Sequence, residues 1–146
     1  LDVACGTGRH TRFLIQAGFK VEAVDRDVSA LAFLPGVVAR QADLEGEPWP
    51  YSAGELDGIV VTNYLYRPLF LHLFEALAVG GVLIYETFSE GNQRLGRPRN
   101  TDYLLKSGEL LEQVKARLEV NDYEELCVLG NNRAVVQRIC AVKAAR

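Results

Sequence analysis

The chain has 146 residues, 49% of them apolar, and 16 Lys and Arg against 19 Asp and Glu give a net charge of −3. That length supports one domain around one core, and the slight acidity lacks the electropositive footprint of a protein that holds nucleic acid through its phosphates. No apolar run approaches the roughly 20 residues that cross a bilayer, and no basic flank with an apolar segment and cleavage site opens the chain, so a cytoplasmic protein without a membrane partner is expected.

Strand-like and helix-like segments alternate from the start, which favours a doubly wound, mostly parallel α/β sheet with helices on both faces. Leu1-Asp2-Val3-Ala4 reads as the end of a first strand. Gly6 and Gly8 follow, then a helix with Phe13, Leu14 and Ala17 as its apolar stripe and Gly18 as its stop. Lys20 to Asp25 is bounded as a second strand. A short helix near Val28–Phe33 ends at Leu34-Pro35-Gly36, because proline disfavours helical geometry in the residue before it, and Val37 to Ala42 makes a third strand.

Glu45-Gly46-Glu47-Pro48-Trp49-Pro50 is a loop, since its prolines lack ladder donors. Leu56 to Thr62 is a fourth strand. Pro68 suits the first turn of a helix that buries Phe70, Leu73, Phe74 and Leu77 and stops at Gly80-Gly81. Val82-Leu83-Ile84-Tyr85 has the continuous apolar character of a strand buried on both faces. Ser89 to Lys106 shows no period, and loops of that length are usually functional or disordered; here it is expected to cover an acceptor pocket. Ser107 is a plausible N-cap for a helix carrying Leu110, Leu111, Val114 and Leu118 on one side. The chain closes as Leu118–Leu129, a Gly130-Asn131-Asn132 turn and Arg133–Val142, an antiparallel hairpin. The absence of Met, with Leu1 already inside a strand, leads to the expectation that residues 1–146 are a single domain whose N-terminal segment is missing.

Chemistry concentrates at Asp2-Val3-Ala4-Cys5-Gly6-Thr7-Gly8. A strand running through a glycine turn into a helix aims backbone N–H groups and a positive helix end at the carboxyl edge of the sheet, where ligands of such folds bind. Gly6 and Gly8 would let a ligand approach the main chain with no Cβ in the way. Asp25, closing the second strand, is placed to accept hydrogen bonds from ribose hydroxyls.

With Asp43-Leu44 after the third strand, these residues resemble the class I S-adenosylmethionine-dependent methyltransferases, and the closing hairpin matches that family's reversed last strand. Ala4 departs from the pattern, which often has glycine there. Tyr85-Glu86-Thr87-Phe88, Gly91-Asn92, Gly96-Arg97-Pro98-Arg99-Asn100, Tyr103-Leu104-Leu105 and Gly108-Glu109-Leu110 look like the small bacterial members labelled tellurite-resistance-like. The resemblance implies S-adenosylmethionine as cofactor, with Asp2 and Gly6 near its amino-acid end, Asp25 at the ribose, and Asp43 and Leu44 at the adenine; Ala4, Cys5, Gly8, Arg26 and Asn63 complete the implied contact set. It also implies methyl transfer to a small-molecule acceptor. Asn63, Tyr64, Tyr66 and Arg67, which follow the fourth strand, are the acceptor-side candidates.

Two other readings stay open. An NAD-type fingerprint would need glycine at position 11, which is Thr11. A non-catalytic cofactor-binding or scaffold module would share the fold, because fold alone does not establish activity. His10, in a first helical turn, and His72, beside an apolar face, are expected to be surface or packing residues. Arg94, Arg97 and Arg99 suit either an anion clamp or a solvated basic loop. Cys5, Cys127 and Cys140 lack Cys-x-x-Cys spacing, so reduced thiols and no metal site are expected.

Overall fold

In a computed structural model, which describes residues 1–145, the alternation resolves into one seven-stranded sheet. Its elements are β1 (Asp2–Val3), α1 (Arg9–Gln16), β2 (Val21–Asp25), β3 (Val37–Gln41), β4 (Leu56–Thr62), α2 (Leu69–Ala76), β5 (Leu77–Phe88), α3 (Glu109–Lys115), β6 (Glu119–Val128) and β7 (Ala134–Val142). The strand order is β3-β2-β1-β4-β5-β7-β6. Strands β1 to β5 are parallel, and β7 runs antiparallel to both β5 and β6. Chain order reverses between β1 and β4, so the carboxyl ends of these strands diverge and leave a crevice, where doubly wound sheets bind ligands.

The two faces of the sheet are unequally covered. Val3, Val24, Ile59, Val61, Leu83, Tyr85 and Ile139 join one core with Phe70, Leu73 and Phe74 of α2 and Leu110 and Val114 of α3. The other face is open over β5 and β7. Ile84 there is 50% exposed, and Arg138 forms ion pairs with Glu86 (2.8 Å) and Glu124 (3.5 Å) across three adjacent strands. The expectation that Val82–Tyr85 is buried on both faces is therefore corrected: alternate residues of β5 meet core and solvent.

The expected stripe on α1 is also corrected. Phe13 is 65% exposed, and Thr11 is the helix's buried residue. The helix docks through a polar contact in which the Thr11 hydroxyl donates to the buried Asp2 carboxylate at 2.6 Å. The helix expected near residues 28–33 is a single 3₁₀ turn, Ser29–Leu31. α2 ends at Ala76, before the two glycines, because Leu77 already pairs with Leu56. β5 then runs through Gly80-Gly81, where the register against β4 shifts and Gly80 takes φ 81. Gly108, and not Ser107, caps α3. None of the described helices is long and apolar enough to cross a membrane.

Residues 89–106 form an anchored loop in place of a floppy connector. Its ends meet at a Ser89–Leu105 bridge, and it carries 3₁₀ turns at Asn92–Arg94 and Thr101–Tyr103. Gln137, fully buried on β7, donates to Ser89 Oγ (2.8 Å) and to the Lys106 carbonyl (2.7 Å). Asn92 Oδ1 accepts the Val135 N–H at 3.1 Å. Its ends are thus tied to the sheet by satisfied buried polar groups, as in an Ω-loop.

The polar docking of α1 predicts that Thr11→Val, which keeps the volume but leaves the buried carboxylate without its donor, lowers unfolding free energy by about 1–3 kcal/mol. Thr11→Ser, which keeps the hydroxyl, recovers most of it. Urea denaturation of the three proteins reads the difference, and equal midpoints for Val and Thr would remove the contact from the account.

Candidate cofactor and acceptor site

The turn from β1 into α1 is tight because three of its residues take left-handed backbone: Ala4 (φ 53), Gly6 (φ 54) and Gly8 (φ 85). Gly6 donates its N–H to Asp25 Oδ2 at 2.9 Å, and Asp25 Oδ1 accepts the Asp27 N–H at 3.1 Å. A Cβ on Gly6 would point into open space, so the main chain there is accessible to a ligand. Gly8 differs: a Cβ would overlap the Leu31 side chain, so its glycine serves packing, which corrects the expected role in ligand approach. Asp2 lies beneath the turn. Burial pushes its carboxyl above the usual range, opposed by the Thr11 hydrogen bond.

A first cleft of ≈ 440 Å³, mouth included, opens beside this turn. Ala4, Asp25 and Arg26 line one side. Asp43, Leu44 and Glu45 from the segment after β3 line another, and Tyr64 closes it. Asp43 Oδ1 accepts the Glu45 N–H at 3.0 Å, which fixes the carboxylate, and Leu44 is buried.

A second cleft of ≈ 490 Å³, mouth included, lies over the ends of β4 and β5. Asn63, Tyr64 and Leu65 follow β4, Thr87 and Phe88 end β5, and Pro98 and Tyr103 come from the anchored loop. Glu45 and Tyr64 belong to both clefts, and the Tyr64 hydroxyl donates to Glu45 Oε1 at 3.2 Å. Burial, with Glu45 alongside, raises the Tyr64 hydroxyl above its ordinary range, so it stays protonated and can donate. Tyr85 donates to the Tyr64 carbonyl at 2.7 Å and holds the segment in place. Asn63 adopts φ 55, a conformation its short polar side chain tolerates better than most.

Of the acceptor-side candidates, Asn63 and Tyr64 line the second cleft. Tyr66 is half-buried against the core, with its hydroxyl 3.5 Å from the Glu45 carbonyl. Arg67 points elsewhere, which corrects its expected role. Its guanidinium makes a bidentate pair with Glu109 (2.6 and 2.9 Å) and donates to the carbonyls of Asp102 (2.9 Å) and Leu104 (3.0 Å). It is a strap that ties the anchored loop and α3 to the β4–α2 turn. Among the cofactor-side candidates, Ala4, Asp25, Arg26, Asp43 and Leu44 meet at the first cleft. Asp2, Cys5, Gly6 and Gly8 build the adjoining turn, and Asn63 sits across it on the second.

His10 lies beside Arg9, 3.2 Å away, and His72 stacks on Trp49 with ring centroids 6.2 Å apart, so neither is brought into a cleft. No cluster of His, Cys, Asp or Glu suited to a metal ion occurs among the described residues. Glu45, Thr87, Phe88, Pro98 and Tyr103 were not singled out individually as site residues by the sequence. The available signal was positional: in a parallel sheet, residues just past β3 and β5 share the crevice of β1 and β4.

No family model and no curated protein sequence matches the chain. Solved structures do. An S-adenosylmethionine-dependent methyltransferase from Mesorhizobium loti superimposes with a TM-score of 0.76 at 18% identity, over 97% of this chain and 89% of that one. TehB from Haemophilus influenzae gives 0.75 at 20% identity, over 97% of this chain and 57% of its own. The geranyl diphosphate C-methyltransferase from Streptomyces coelicolor, solved with S-adenosyl-L-homocysteine, geranyl diphosphate and Mg²⁺, gives 0.71 at 18% identity, over 98% and 70%. The chain thus has the class I methyltransferase fold, with its reversed last strand.

Two expectations follow from the turn. Left-handed backbone costs an L-residue about 1–2 kcal/mol and glycine's extra freedom when unfolded returns part of that, so Ala4→Gly raises unfolding free energy by about 0.5–1 kcal/mol; a lower urea midpoint would contradict it. Burial and the nearby Asp2 and Asp25 carboxylates push the Cys5 thiol up to about 12. Little thiolate then exists at pH 8, and iodoacetamide labels the exposed Cys127 roughly ten times faster or more. Peptide mass spectrometry reads both sites, and equal labelling would refute the shift.

Proposed function

We propose that this protein is a cytoplasmic S-adenosylmethionine-dependent methyltransferase that modifies a small-molecule acceptor by in-line displacement. One observation carries the reading: two clefts at the switch point of the sheet share the single wall Glu45–Tyr64, one beside the glycine turn and the other over the ends of β4 and β5. A donor and an acceptor held in them would meet at that wall.

The residues present fit the cofactor. Gly6 leaves the main chain open where a Cβ would project into free space, Asp25 keeps lone pairs for ribose hydroxyls beyond the two N–H groups it accepts, and Leu44 with the fixed Asp43 carboxylate suits an adenine edge. Ala4, Cys5, Arg26 and Asn63 complete the surrounding surface, over the buried Asp2 and Gly8. When bound, S-adenosylmethionine supplies an electrophilic methyl on a sulfonium. The chain's own part is alignment and exclusion of water, the largest contributions available to such a displacement. Tyr64, Phe88 and Tyr103 give the acceptor side apolar walls, and Arg67 sets Tyr103 by holding the carbonyls on either side of it. The protonated Cys5 thiol is no competing nucleophile. A nicotinamide dinucleotide suits the turn less well, because Thr11 fills the place where close helix packing asks for glycine and is fixed there by Asp2.

Calorimetry tests the assignment with S-adenosyl-L-homocysteine and NAD as titrants. The homocysteine product is expected to bind and NAD to give no heat. Asp25→Ala should weaken the product by about 1–3 kcal/mol, the scale of hydrogen bonds to a charged acceptor, with the fold retained by circular dichroism. NAD binding with no response to the product would overturn the proposal.

A further inference from the structure

We propose that the second cleft takes a planar hydroxy-substituted aromatic acid as acceptor, its ring against Tyr64, Phe88 and Tyr103, its carboxylate toward Arg97 and Arg99 and its hydroxyl at the Glu45 end. There the oxygen would gain the methyl as the donor's carbon–sulfur bond breaks and the hydroxyl proton leaves to water. The proposal rests on the methyltransferase reading above and names the substrate class of the same site. Three aromatic rings, with Leu65 and Pro98, make most of the wall. Flat, rigid apolar surfaces bury a flat ring at little entropic cost and add ring-to-ring contact.

Thr87 supplies an independent sign of a ligand. It is 1% exposed and lines the cleft, yet its hydroxyl bonds no protein group among the described residues, whereas the nearby Ser89 is fully paired. With no protein partner, that hydroxyl is free to bond a polar atom of a molecule held in the cleft. The Asn63 side chain stands at the same cleft, also without a protein partner among the described residues.

The charges around the cleft are segregated. Glu45 lies at the end shared with the first cleft, where the Tyr64 hydroxyl donates to it. Arg97 and Arg99 flank Pro98 on the loop side. Both are exposed, and neither enters an ion pair among the described residues. Arginines on either side of a cleft-lining proline, outside any ion pair among the described residues, favour a carboxylate, which a guanidinium can hold with two parallel hydrogen bonds. An ammonium in place of the carboxylate would be repelled by the arginines.

The test titrates 4-hydroxybenzoate, its neutral amide 4-hydroxybenzamide, and the cation tyramine into protein loaded with S-adenosyl-L-homocysteine. The benzoate is expected to bind at least tenfold more tightly than tyramine. In the Arg97→Ala/Arg99→Ala double variant its advantage over the amide should fall to within twofold, while affinity for S-adenosyl-L-homocysteine is unchanged. Thr87→Val should weaken benzoate and amide alike, by fivefold or more. Tyramine binding as tightly as the benzoate, an unaltered preference in the double variant, or no arene binding at all would overturn the proposal. The same titrations without S-adenosyl-L-homocysteine keep the two readings apart: arene selectivity in a protein that does not bind the cofactor product would sink the methyltransferase assignment and leave the cleft's preference standing.

Discussion

The site depends on one constraint: the five residues between β1 and α1 must turn the chain sharply while leaving the main chain at Gly6 open to the crevice. Two carboxylates meet it from opposite sides. Asp2 holds α1 from below through the Thr11 hydroxyl at 2.6 Å, and Asp25 holds the turn from above through the Gly6 N–H at 2.9 Å. Hydrogen bonds to charged groups contribute about 1.5–3 kcal/mol each, enough to fix a turn that carries three left-handed residues. β1 itself is only two residues long, so its register with β2 and β4 and these contacts determine where the first cleft opens.

The second cleft is built by a different device. Nothing in its loop is periodic, yet the loop is held at its base by Gln137 and at its outer turn by Arg67. Both anchors are planar groups that make several hydrogen bonds in fixed directions, so they set position as well as distance. The Arg67–Glu109 pair is partly shielded, with the glutamate side chain 14% exposed, and the guanidinium draws the Glu109 carboxyl below its usual range despite the opposing effect of burial. Tyr103 and Pro98 reach the second cleft because the loop is held this way.

Much of this was legible in the sequence. The bounds of β4, the glycine turn and Asp25 follow from local rules of strand ends and turn residues, the closing hairpin follows from its Gly/Asn turn, and Asp43-Leu44 was marked by the family resemblance. What was not legible depends on long-range partners. The apolar stripe of α1 is mostly exposed because Leu31 and Asp2, distant or polar, decide how that helix docks. The end of α2 is set by pairing of Leu77 with Leu56, which overrides the stop signal of Gly80-Gly81. Arg67 reads as a free charge beside a strand end until Glu109, 42 residues away, is brought to it. Thr87 looks like any other strand residue until the loop covers it.

The central claim is that the two clefts are donor and acceptor halves of one site, divided by Glu45 and Tyr64. A crystal structure of the complex with S-adenosyl-L-homocysteine tests it most directly. Ribose hydroxyls are expected at Asp25, the adenine edge at Asp43 and Leu44, and the sulfur facing the cleft lined by Asn63 and Thr87. Density for the ligand outside the first cleft, or a sulfur turned away from the second, would contradict it.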